Sequence, residues 1–340
     1  MTLLAAQVLT LADLVKRSDA NGNVASSIVE AMNRVNEALD DMQFREANDG
    51  SGHKTVIRTG LPAVAWRLLN YGVPKSKSTT APVRDTTGML EAYAEVDKTL
   101  VQLSGNAGAF RASEVRPFLE SMSQEASSTL FYGNTEVNPE RFLGLAPRMG
   151  KLSTDPTQSG YNIIDAGGTG ATNTSLWMIV WGEDSVHGIY PKGTTAGLQH
   201  QDLGEVTLQD ANGNNYQGYR DHFQWHLGLT VRDWRYVVRI ANIDVALART
   251  DMAYLKSILN KIIDAEERVY RIPGTATESG MPRAAWYGNR TVRSLIRTAQ
   301  LEKIANNITT ETIYGKPVTA INGVPLRAVD AILNTEARVV

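Results

Sequence analysis

His222 and His226 stand four residues apart, a spacing that brings two imidazoles together as metal ligands once a third donor joins them. No third ligand is evident in the sequence. On a strand the pair shares a polar face with Gln224, so solvent or a contact between subunits is the favoured reading. Asp184, Ser185 and His187 supply the residue types of a hydrolytic triad. Yet no Gly-x-Ser-x-Gly elbow surrounds Ser185, and adjacency in sequence is not triad geometry. Gly167-Gly168-Thr169-Gly170 lacks the Lys-Ser/Thr of a phosphate loop and fails the dinucleotide spacing. It reads as a flexible loop. No catalytic, metal or cofactor set emerges, and the chain is expected not to be an enzyme.

The remaining charged groups fit contact roles better. Lys75, Lys77 and Arg84 lie in a polar stretch rich in Ser, Thr and Pro, and Glu91, Glu95 and Asp97 follow on one face of an alternating segment. These six are candidates for ion pairs with a neighbouring copy. As solvated surface pairs they would be worth only ~0–1 kcal/mol each.

Composition limits the rest. The 340 residues suggest one large or two smaller domains, and 42% apolar content supports a substantial core. A net charge of −2, from 34 basic and 36 acidic residues, argues against a dedicated nucleic-acid binder and a polybasic membrane-surface protein. With no cysteine, disulfides, thiolate zinc sites and cysteine nucleophiles are excluded. No apolar run approaches the ~20 residues of a membrane span, and Thr2–Val15 reads as a short amphipathic helix better than as a signal peptide.

The elements that position these residues follow from periodicity. Thr10–Lys16 is a short helical candidate. Ser27 and Glu30 form a capping box for a helix whose apolar face runs Ile28, Met32, Val35, Leu39 and Met42. Lys54–Tyr71 reads as extended, Val73–Asp85 as a polar loop, and Leu90–Asp97 as a half-buried strand. Together they make a long hairpin with a basic tip, whose arm of about 17 residues would reach up to ~55 Å. A compact domain of this size has a radius of gyration of only ~20 Å, so the hairpin is expected to project and to need another surface. A helix with apolar positions Val115, Phe118, Leu119, Met122, Ala126 and Leu130 follows, capped by Ser113, with Pro117 in its first turn and Gly133-Asn134 at its end. Leu176–Trp181 reads as a buried strand. Phe223, Trp225, Leu227, Leu229 and Val231 alternate, the pattern continues through Trp234, Tyr236, Val238 and Ile240, and the two runs read as long antiparallel strands. Two helices then run from Met252 to Val269 and from the cap Asn289 through Ala299. Asn322-Gly323 turns a terminal hairpin.

This order resembles the Hong Kong 97-like α+β fold of tailed-bacteriophage major capsid proteins, especially coat proteins of short-tailed phages. The segments that carry the likeness are Arg58–Arg67 (RTGLPAVAWR), Val186–Gly193 (VHGIYPKG), Asp233–Asp244 (DWRYVVRIANID) and Ala285–Arg290 (AWYGNR). The resemblance implies an N-arm at 1–52, an E-loop at 53–104, and a P-domain spine helix at 105–138. A-domain and P-domain strands would fill 139–311, with C-terminal strands at 312–340. It also implies pentamers and hexamers closing an icosahedral head around double-stranded DNA, E-loops lying across neighbours, and a smaller procapsid that expands. A scaffolding protein in trans, a portal protein and a cement or decoration protein would be partners. Assembly would take place in the host bacterial cytoplasm, with no membrane involved. Some relatives join an E-loop Lys to a neighbour's Asn covalently. Lys75 or Lys77 sits suitably, but no matching Asn and Glu can be identified, so noncovalent locking is favoured. The alternatives are an encapsulin-type compartment, or a soluble α+β enzyme or sugar-binding protein using Trp177, Trp181 and Trp225.

Overall fold

The computed structural model describes residues 36–210, 212–270, 283–301, 308–313 and 316–340. The helix expected at Thr10–Lys16 and the Ser27 capping box lie outside them. In chain order the elements are α1 (Ala38–Asp41), β1 (Phe44–Glu46), β2 (Gly52–Gly60), β3 (Thr79–Asp97), α2 (Lys98–Leu103), α3 (Ala107–Tyr132) and α4 (Leu145–Arg148). β4 (Ile163–Asp165), β5 (Asn173–Trp181), β6 (Val186–Tyr190), β7 (Leu198–Gln209), β8 (Asn215–Val231) and β9 (Val237–Asp244) follow. The chain continues with α5 (Val245–Thr250), α6 (Met252–Arg268), β10 (Arg283–Gly288), α7 (Arg290–Leu301), β11 (Ile308–Ile313), β12 (Lys316–Ile321) and β13 (Val324–Ala328). They form two compact units, each discontinuous in sequence. One gathers residues 89–126 and 197–226, the other 35–88, 127–196 and 227–340.

In the first unit, β7 and β8 form an antiparallel ladder from Leu198↔Trp225 to Gln209↔Asn215, broken by a bulge after Asp202. The far half of β3 turns Ala94 and Val96 inward while Glu91 and Tyr93 face outward, the alternation expected of a strand with one buried face. Helix α3 supplies the other wall: Met122 packs with Ala94 and Phe223, flanked by Val115, Phe118 and Leu119. This helix starts earlier than Ser113. Asn106 is the cap, its Oδ1 accepting from the Ala109 N–H, and Phe110 is drawn into a cluster with Val96, Leu100 and Val101. Ser113 is interior and donates back to the Phe110 carbonyl. Pro117 therefore sits inside a 26-residue helix, not in its first turn. It has no N–H for the Ser113 carbonyl, and it is exposed. Pro117→Ala is expected to stabilise the protein by about 1–3 kcal/mol by restoring that bond. Thermal denaturation of the dissociated subunit measures it, and an unchanged or lower midpoint would refute it.

The second unit is built on β5, which is buried along its whole length. β10 pairs with it antiparallel on one edge and β9 antiparallel on the other. β13 extends the sheet parallel to β10, and β12 and β11 follow as antiparallel neighbours. Asn322 and Gly323 take φ of 48° and 80° at the turn, as the Asn-Gly pair anticipates. Helices α5, α6 and α7 cover one face. Leu255, Ile258, Ile262, Val292 and Ile296 meet Leu176, Met178, Val238, Ile240 and Trp286 there. Asn289 caps α7 through Val292 N–H at 3.0 Å, as the sequence predicts.

Three expectations change. The two runs expected as long antiparallel strands are β8 and β9, but Asp233 caps a 3₁₀ turn at Trp234–Tyr236 between them, and each pairs antiparallel with other strands, β8 with β6 and β7 and β9 with β5. Within β8, residues 227–231 are buried on both faces, so Thr230 is core and not a polar-face residue. Gly228 is there for proximity, because a Cβ would come within 2.8 Å of the Thr86 carbonyl. Finally, the helix expected through Met42 is a single turn ending at Asp41, followed by the short parallel strand β1 against β6.

Candidate functional site: an assembly surface

β2 and β3 form the foot of the expected hairpin, paired from Gly52↔Thr86 to Gly60↔Thr79. The ladder stops where Pro62 removes a donor. Its nine residues span roughly 30 Å, and strand pairing covers Thr79–Asp85, which the sequence suggested was loop. Residues 61–78 continue without strand pairing, closed locally by Tyr71 N–H to Leu68 O, by Asn70 at φ 67° and by Ser76 Oγ to Ala63 O.

The tip's side chains are unusual for a soluble surface. Leu61, Val64, Trp66, Leu68, Leu69, Tyr71 and Val73 are all exposed, with Trp66 fully so at 104% of its reference area. Single exposed apolar residues are ordinary, whereas a run of seven within thirteen positions is a candidate contact surface. Lys75 and Lys77 are exposed beside it.

The other four contact candidates have partners within the chain. Arg84 binds Asp49 Oδ2 at 3.1 Å and Ser51 Oγ at 2.7 Å. Glu91 accepts from Gln224 Nε2 at 2.6 Å, Glu95 pairs with Arg220 at 2.6 Å, and Asp97 caps α2 through the Thr99 N–H. His222 stacks on Tyr93, with ring centroids 4.6 Å apart.

Sequence reasoning missed the buried polar networks. Arg239, on β9, donates to Ser175 Oγ, Met149 O and Glu336 Oε2 at 2.9–3.0 Å and lies over the Trp177 ring. Both partners of that ion pair are 4% exposed. Glu336 also accepts from Tyr132 and Ser175 hydroxyls. Burial and the Glu336 charge push the Tyr132 phenol far above its ordinary pKa, so it stays a donor. Asn242, at φ 59°, donates to the Val339 carbonyl and accepts from its N–H, which pins the chain's last residues to the sheet. A second network joins Asp41 to Arg327 and Tyr287, and Tyr287 to Trp181. In the first unit, Arg111 bridges Asp202 and Asp221, and Asp221 meets His200. The Arg111 hydrogen bond holds the Asp202 carboxyl below its usual range.

The enzyme-like motifs dissolve. Ser185 Oγ donates to the Val180 carbonyl, and His187 is buried. Trp177 and Trp181 are wholly buried, and Trp225 is half-buried against the core of the first unit, so they form no sugar-binding platform. Among the described residues no group of three His, Asp or Glu side chains could hold a metal ion. No described helix is long and apolar enough to cross a membrane.

Comparison with known structures matches this geometry. The bacteriophage Epsilon15 structure aligns over 100% of this chain and 99% of its own, at 33% identity and a TM-score of 0.74. Much weaker likenesses are the bacteriophage JBD30 capsid (8% identity, 89% and 93% coverage, TM-score 0.47) and the holo-SrpI encapsulin complex of Synechococcus elongatus PCC 7942 (11%, 69% and 96%, 0.44). No curated protein sequence matches. Residues 19–340 match the family model of major capsid protein GP7. The chain belongs to that family: it is a bacteriophage major capsid protein with the Hong Kong 97-like α+β fold, a structural subunit that assembles with copies of itself into the shell of the virion.

Proposed function

We propose that this subunit forms the pentamers and hexamers of a closed icosahedral head around double-stranded DNA, and that the hairpin at 53–104 lies across a neighbouring copy. The observation that carries the reading is the apolar tip: Leu61, Val64, Trp66 and Leu69 find no cover among the described residues. Seven exposed apolar side chains on a two-stranded arm, which is marginal alone in water, favour docking onto another surface. A repeating lattice supplies that surface at every position, and many moderate contacts add to a stable shell while single misplaced subunits still leave. In this reading Lys75 and Lys77 make noncovalent ion pairs with the neighbour's carboxylates. The segment 1–52 is the arm, and α3 is the spine of the P-domain. The near-neutral charge suits a wall that encloses DNA without gripping it. Scaffolding, portal and decoration proteins are the further partners, and the host cytoplasm is the place of assembly. Electron microscopy of the purified chain is expected to show uniform, hollow icosahedral particles. A stable monomer under all assembly conditions would overturn the proposal.

A further inference from the structure

The foot of the β2/β3 hairpin gathers a cluster of polar side chains against β6 and β8. His53 on β2 meets His187 on β6 edge to face, ring centroids 5.8 Å apart. Asp85 is the cross-strand partner of His53, and Thr230 that of His187. Thr55 lies two residues beyond His53 on the same strand face. Four of these five residues are at most 7% exposed. Even so, His187 Nδ1, Asp85 Oδ2, Thr55 Oγ1 and Thr230 Oγ1 are buried without hydrogen-bond partners. Four unmatched polar atoms in one buried region call for a bound water, an ion or a functional role.

The surrounding charges are already matched. Asp85 pairs with Arg148 at 2.6 Å, Glu183 with Arg45 at 3.0 Å, and Asp184 with Arg232 at 3.0 Å. At the exposed side, Asp49 pairs with Arg84 at 3.1 Å. Of these carboxylates Asp85 alone keeps a buried oxygen unpaired, and its charge favours protonated His53 against burial and Arg232.

We propose that this two-histidine cluster is a proton-operated release for the hairpin foot: charging His187 and His53 in acid forces β2 away from β6. Each proton adds a cation to a space that already holds Arg45, Arg148 and Arg232. Burial, then His53, and then Arg232 and Arg45 lower the His187 pKa to about 4, against a hydrogen bond to the Gly182 backbone that raises it. Burial and Arg232 lower His53 too, with Asp85 opposing. The sign follows. A His whose pKa is lowered in the closed state binds its proton more readily once the site opens. The closed state is thus fully favoured above pH 6.5 and loses ground as pH falls towards 4. The limit is roughly tenfold per pH unit for each histidine. Opening frees the foot of the same arm whose tip carries the apolar run, whatever surface that tip docks on.

Hydrogen exchange on the full-length chain between pH 7 and 4, with rates divided by the intrinsic rate at each pH, tests this. Protection of amides in 52–57 and 186–190 is expected to fall roughly a hundredfold from pH 6.5 to 4, while β5 amides hold. His187→Asn should remove most of that fall. Arg232→Gln, at a more exposed position, should shrink it, and it carries the test if His187→Asn does not fold. The proposal is overturned by flat protection at the foot, by an equal loss in β5, which is global acid unfolding, or by variants that track the parent. None of these outcomes depends on whether closed shells form, which microscopy reads separately.

Discussion

Trp66→Ala is expected to raise the subunit concentration needed for shell formation by roughly thirty-fold or more, while leaving the subunit's own melting temperature unchanged. The side chain is fully exposed among the described residues, and surface changes of that kind shift stability by no more than about 0.5 kcal/mol. A docked tryptophan at the centre of an interface is another matter. Truncating such a residue costs about 2 kcal/mol or more, and every 1.4 kcal/mol is tenfold in concentration. Because the contact repeats at each lattice position, the loss is cooperative and shells should vanish over a narrow concentration range. Trp66→Phe keeps most of the apolar area and should recover most of the assembly. Light scattering against concentration, with microscopy of the end state, reads the result. If Trp66→Ala assembles at the parent's concentration, the tip is not a docking group.

The largest effect on the subunit itself is expected from Glu336→Gln. The substitution keeps hydrogen-bonding groups for Tyr132 and Ser175 but leaves Arg239 charged and buried without a counter-ion. Breaking a buried pair from one side costs about 3–5 kcal/mol, which for a chain of this size is roughly ten degrees of melting temperature. Removing both charges with Arg239→Met and Glu336→Leu should recover much of that loss, because the pair carries its own desolvation cost. Urea unfolding of the dissociated subunit decides. A Glu336→Gln protein within 1 kcal/mol of the parent, or a double variant no better than the single, would show that the network matters less than its burial suggests.

Periodic elements were the legible part of this chain. Leu176–Trp181, the β8 alternation, the Met252 helix with its repeating apolar stripe and the Asn322-Gly323 turn each write their geometry into spacing, because one buried face imposes a period on the sequence. Asn289 was legible as a cap for the same local reason. Pro117 misled because a proline is usually placed at a helix start, whereas Asn106 and the buried Phe110 pull this helix one to two turns earlier. Leu61, Val64 and Trp66 were quoted for their resemblance, but their exposure could not be read, since an apolar residue looks the same in sequence whether its cover comes from its own chain or another. Lys75 and Lys77 stood out as charges. Glu91, Glu95 and Arg84 looked equally free until the fold supplied Gln224, Arg220 and Asp49. The Arg239–Glu336 pair was invisible because 97 residues separate its members and no spacing rule connects them.

The attachment of residues 336–339 to the sheet also sets an order in time. Arg239 emerges about a hundred residues before Glu336, and at bacterial-like rates of 5–20 residues per second that is a wait of roughly 5–20 s. Until Glu336 arrives, β9 cannot bury its guanidinium against a counter-charge. A chain cut short before that point therefore carries an unpaired cation at the centre of its sheet and stays open to proteolysis. The pairing thus couples the packing of β9 to residues made about a hundred positions later.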